Sequence, residues 1–165
     1  MTDNFIQLKK DNILRLGIKT EDGVDTGEVL EFDLEDIELP LKYQELVERD
    51  KKNKEQLRNQ MLIIDKRQDV KGKKLLSKNE EDKIKALNDF FKKEAEIYDG
   101  FLGKDGVKKL TNGRRLGWMV FDEIDEIIEK QITPHLDLTM SKITDKVKEK
   151  YGKAIEKSKE LEVLE

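Results

Sequence analysis

Apolar positions change their spacing along this chain, and each change predicts a different element. Between Phe5 and Leu34 they alternate with polar neighbours. Ile6 and Leu8 come first, then Leu14, Leu16 and Ile18 on one side of "ILRLGI", then Val29 and Phe32 among the acids of "EVLEFDL". Period-two runs separated by the Asp- and Gly-rich "TEDGVDTGE" predict a small antiparallel sheet or meander. Gly17, inside the second run, marks a bulge, a close backbone approach or a plain packing gap. After Leu34 the period becomes helical. Asp36 or the Glu38–Pro40 corner opens a helix bearing Leu41, Leu46 and Val47 and, after a gap, Leu57, Met61, Leu62 and Ile64. Pro40 is tolerated in the first turn, where the N–H it lacks would have no partner. The gap, "ERDKKNKEQ", has no apolar side chain, so a helix through it is expected to be solvated on every side and to rest on charges at helical spacing.

Residues 65–79, "DKRQDVKGKKLLSKN", include Gly72, have weak periodicity and read as a mobile connector. Ser77 and Glu80 then form an S-x-x-E capping box that starts a new helix. Along it Ile84, Leu87, Phe91, Tyr98 and Leu102, with Phe90, Ile97 and Phe101 beside them, make a broad apolar stripe, which Gly100 and Gly103 stop. In "GFLGKDGVKKLTNG", Gly103 and Gly106 end that helix, "VKKL" makes a short helical turn and "TNG" a second corner. Trp118, Phe121, Ile124, Ile128 and Ile132 share a face of the next helix, flanked by Val120 and Ile127, and Pro134 kinks or ends it. Beyond it Leu136, Met140, Ile143, Val147, Tyr151 and Ile155 recur about once per turn, and "EKSKELEVLE" is expected to fray. No period of roughly 20 to 50 residues recurs, so a repeat architecture has no support. The expectation is an α+β, predominantly helical protein, with a small N-terminal antiparallel sheet and three to four amphipathic helices. Residues 1–138 form the domain and 139–165 a helical extension.

Composition narrows the functional classes. Charged residues make up 42% of the 165, with 33 basic against 37 acidic side chains interleaved, so no uniform field arises for nucleic acid. Cysteine is absent, which removes disulfides and thiolate metal sites. No window approaches the roughly 20 apolar residues a bilayer span needs, and the N-terminus lacks a signal-peptide core, so a soluble cytoplasmic protein without membrane partner is expected. The lone His135 has neither a Ser or Cys nucleophile in a recognisable setting nor the spacing of a metal site, and reads as structural. Asp122, Glu126 and Glu129 lie along one helix face, which a solvated face explains as well as a cation site does. The glycines at 100, 103, 106 and 113 miss both phosphate-loop spacings and follow a helix rather than a strand. Lys104, Lys108, Lys109, Arg114 and Arg115 remain as a weak basic patch among many acids. No catalytic, cofactor-binding or metal-ligating residue is expected.

Three segments together resemble a known family. A strand pair ending "EVLEFDLEDIELPLKYQEL", a long charged helix, and "IYDGFLGKDGVKKLTNG" followed by a helix closing "ITPHL" are similar to the tail assembly chaperones of long-tailed phages of Gram-positive bacteria. The resemblance covers residues 13–138 and is sharpest at Phe32–Leu41 and Tyr98–Leu110. It departs at Leu102, where the pattern tends to an aromatic or glycine, and in the tail after Leu138. It implies a non-catalytic role: binding the tape-measure protein, recruiting tail tube subunits and forming a homo-oligomer, without nucleic acid or cofactor. A structural or adaptor component that stays in the particle is the alternative. A helix-in-groove surface would shield the tape measure's apolar stripe. Phe91, Tyr98, Phe101, Leu102, Trp118 and Phe121 are then the domain core or the subunit contact. The tail from Leu136 to Ile155, with Met140, Val147 and Tyr151, is the candidate partner helix.

Overall fold

The computed structural model describes residues 4–7 and 12–164. β1 (Ile13–Lys19) pairs antiparallel with β2 (Asp25–Asp33), with Leu14 opposite Phe32 and Leu16 opposite Leu30. The alternation turns Leu14, Leu16, Ile18, Leu30 and Phe32 toward the helices. Asn4–Gln7 is not a strand, and Phe5 and Ile6 are almost wholly exposed, so the expected first strand is not formed there; Leu8 lies outside the described residues. Of the readings open for Gly17, the bulge finds support in the strand pairing, whose register shifts between Gly17 and Lys19. Its extra residues belong to β2, where Gly27 takes a φ of 77° and Thr26 Oγ1 donates to the Ile18 carbonyl at 2.8 Å. Nothing approaches the vacant Cβ position of Gly17, so close approach is not its reason.

α1 (Leu39–Lys66) begins with Pro40 in its first turn, as expected, and runs antiparallel to α2 (Lys78–Leu102). The capping box closes both ways: Glu80 N–H donates to Ser77 Oγ at 3.2 Å, and Ser77 N–H donates to Glu80 Oε1 at 3.3 Å. The link between the helices is fastened to both. Asn79 Nδ2 donates to the carbonyls of Ile64 (3.0 Å) and Arg67 (3.2 Å), and Asp69 accepts the Asn79 N–H at 3.0 Å. The first turn of α2 thereby satisfies carbonyls that the end of α1 leaves open.

α2 ends at Gly103, with φ 100°, and α3 (Gly106–Thr111) ends on left-handed Asn112 and Gly113. Gly100 does not stop α2 but lies inside it, and Gly106 opens α3 rather than ending α2. Asp99 fixes this corner: its Oδ1 accepts the Val107 N–H at 2.9 Å, at the first turn of α3.

Pro134 neither ends nor interrupts the last helical path. α4 (Trp118–Ile127) passes through a π turn (Ile128–Ile132) into α5 (Thr133–Leu164). In this wider turn the backbone bond steps back five residues rather than four. Thr133 N–H reaches the Ile128 carbonyl, and Thr133 Oγ1 donates to that of Glu129 at 2.8 Å. Ile132, at the end of this turn, is 0% exposed. The stretch expected to fray is helical through Leu164.

The core lies where the inner face of the hairpin meets the C-terminal half of α2, the start of α1, α3 and α4. Phe101 is its hub, with ring centroids 5.5 Å from both Phe32 and Tyr43, while Tyr98 lies 5.2 Å from Phe121. The fold is α+β and predominantly helical, with a two-stranded N-terminal sheet. Among the described residues no helix is long and apolar enough to cross a membrane.

Candidate functional site

The nine residues singled out from sequence fall into two separate groups. Tyr98, Phe101, Leu102 and Phe121 are buried, and Phe91 packs on them, so these five are internal core rather than free contact surface. Trp118 lies against Phe91, centroids 4.6 Å apart, yet half of it is exposed. Met140, Val147 and Tyr151 lie on α5, beyond the body.

The body's hold on α5 ends at a definable point. Leu136 is the last residue of the core cluster, and Thr139 Oγ1 lies 3.0 Å from the Leu34 carbonyl oxygen, tying the helix to the end of the sheet. After Thr139 every described α5 residue is exposed except the half-buried Ile143 and Gly152. Met140, Ile143, Val147, Tyr151 and Ile155 then follow one another by three, four, four and four positions, which aligns them on one face. Tyr151 is 60% exposed and Met140 45%, so among the described residues most of this row is open. Between Met140 and Lys159 seven lysines stand against three carboxylates, so the row is framed by positive charge.

The other candidates resolve into structural roles. Among the described residues no group of three or more His, Asp or Glu is placed to hold a metal. Asp122, Glu126 and Glu129 are exposed, and Glu126 pairs with Lys130 one turn on. The basic patch is partly neutralised from other elements, by Glu28 on Lys109 (3.9 Å) and Glu123 on Arg114 (2.7 Å). His135 is half-buried on the first turn of α5. A groove of about 750 Å³ opens between β1 and the α3–α4 corner, with Leu16, Ile18, Leu110 and Ile127 inside and the Arg114–Glu123 pair at its edge.

One polar cluster was not foreseen. The middle of α1, expected to be solvated on every side, buries Asn53 against α2. Asn53 Nδ2 donates to Glu94 Oε1 at 2.8 Å and to the Phe90 carbonyl at 3.3 Å, while Lys54 pairs with Asp50 at 2.9 Å. Beside them the Tyr98 hydroxyl donates to Asp125 of α4, and burial, then that bond, hold the phenol above its usual range. The signal lay in register rather than composition. Asn53 follows Leu39 and Leu46 at seven-residue steps, and Glu94 falls between Phe90 and Ile97 on the apolar stripe.

No protein-family model, no curated protein and no solved structure matches this chain.

Proposed function

We propose that the protein is a phage tail assembly chaperone, which binds the tape-measure protein through the free part of α5 and helps recruit tail tube subunits. The single observation that carries this reading is the row Met140, Ile143, Val147, Tyr151 and Ile155, exposed among the described residues except for half-buried Ile143, which extends past the tie of Thr139 to the body. An apolar row of this length on a single helix gains by pairing with another amphipathic helix. The surrounding lysines favour a partner helix with acidic flanks, since like charges would disfavour a basic one. The motif likeness at Phe32–Leu41 and Tyr98–Leu110 supports the same reading.

The test is co-expression with the tape-measure protein encoded in the same phage or prophage region. The full chain should keep the tape measure soluble and co-purify with it, and V147D/Y151K should not. Failure of the full chain to retain it would refute the reading. Mass spectrometry of finished particles separates the alternative of a structural or adaptor component: a chaperone is missing from them, whereas an adaptor is present at fixed copy number.

A further inference from the structure

We propose that Glu94 and Asp50 share one proton across the α1–α2 interface, and that loss of this proton loosens the packing of α1 on α2, making the pair a pH-sensitive latch within the fold. The geometry points to the shared proton. Glu94 is 2% exposed in the middle of α2, and its Oε1 already accepts from Asn53. Asp50 Oδ1, facing it from α1, is buried with no N–H or O–H donor from any other described residue. Its Oδ2 is occupied by Lys54. Asn53, which bonds Glu94, lies one turn after Asp50 on the same face of α1, which sets the two carboxyl groups side by side; ionised, neither would have a proton to donate to the other. A protonated Glu94 supplies the donor that Asp50 Oδ1 otherwise lacks.

The surroundings work in the same direction. Burial first, and then the contact with Asp50, push the Glu94 carboxyl up to about 8. The groups facing it are Asp50 and Lys54 from α1 and Tyr98 from its own helix, and Asp125 of α4 lies beyond them, bonded to the Tyr98 hydroxyl. With Glu94 protonated, Lys54 balances Asp50, and Asp125 takes the Tyr98 hydroxyl. Without the proton, a second buried carboxylate stands beside Asp50, and Lys54 cannot neutralise both. A carboxyl raised in the folded state stabilises the fold fully below its ordinary range, and this contribution is lost as pH climbs toward the folded value. The cleft of about 270 Å³ lined by Asp50, Tyr98 and Asp125 gives water a route to the pair once it parts.

The chain's single tryptophan is a native reporter, because Trp118 stacks on Phe90 with centroids 6.1 Å apart, and Asn53 holds the Phe90 carbonyl. The denaturation midpoint of the full-length protein should fall as pH rises from about 5 to about 8.5, with a parallel change in Trp118 emission. In E94Q, whose amide keeps both the shape and the donor, both profiles should be flat over that interval. A carbon-13 NMR titration of the glutamate carboxyls should show one group titrating at about 8. That signal should be absent from E94Q and moved to lower pH in D50N. The idea is overturned if every glutamate carboxyl of the wild type titrates in the ordinary range, or if E94Q follows the wild-type profiles. Should E94Q not fold, the wild-type and D50N titrations decide alone.

Discussion

Three glycines at the corner between α2 and α3 should respond to alanine with different signs. A Cβ on Gly106 would lie 2.6 Å from the Cβ of Leu102, which is itself buried and held by helical backbone. Leu102 has no torsion that moves its Cβ away, so α3 must withdraw from α2. Withdrawal lengthens the bond from Val107 N–H to Asp99 Oδ1, now 2.9 Å. Overpacking costs about 1–3 kcal/mol and a weakened hydrogen bond to a carboxylate adds to it, so G106A should lose about 2–4 kcal/mol. Gly100 lies inside α2, and the nearest atom to its vacant Cβ position is Arg49 Nη1 at 3.8 Å, an ordinary contact. There alanine relieves the entropic cost of glycine in a helix, and G100A should gain about 0.5–1 kcal/mol. Gly103 meets no atom within 4 Å, but its φ of 100° makes G103A costly by about 1–3 kcal/mol through the backbone alone. Urea denaturation followed by circular dichroism reads all three. At about 2–4 °C per kcal/mol for a chain of this size, G106A and G100A should separate clearly in Tm as well. A G106A protein as stable as wild type, or a G100A protein less stable than wild type, would refute this account of the corner.

Removing the capping hydroxyl in S77A should cost about 1 kcal/mol in denaturation midpoint, because the Glu80 N–H loses its acceptor. Y98F should cost about 1–3 kcal/mol, since Asp125, whose carboxyl burial already raises, is left without the phenol's hydrogen bond. On the free part of α5, V147D/Y151K should change the denaturation midpoint by no more than about 0.5 kcal/mol. Any loss of partner capture by this variant then reflects the surface and not the fold; a large drop in its midpoint would instead place those side chains in an internal contact.

Local signals were legible where a short stretch suffices to define an element. The hairpin follows from the alternation of Leu14, Leu16 and Ile18 and from Asp–Gly turn chemistry, although in β2 it is Leu30 rather than Val29 that faces inward with Phe32, and the starts of α1 and α2 follow from Pro40 and from the Ser77–Glu80 box. The stripe from Phe90 to Leu102 was recognisable as a buried face because its spacing is helical whatever covers it. The α5 row was readable for the same reason. Pattern alone overreached at Ile6, where two alternating positions cannot distinguish a strand from an exposed segment.

Cover, and the partner across each interface, belong to the tertiary structure. Two apolar rows of equal periodicity meet opposite fates: Tyr98 and Phe101 are enclosed by the hairpin, α1 and α4, whereas Val147 and Tyr151 are exposed among the described residues because the core cluster ends at Leu136. Asn53 and Glu94 look like ordinary polar residues of charged helices until α1 and α2 are laid antiparallel, when the bond between them lowers the cost of burying both. Pro134 illustrates the same limit. A proline removes one donor wherever it occurs, but whether the helix breaks or widens depends on packing, and here the burial of Ile132 holds the chain on its helical path.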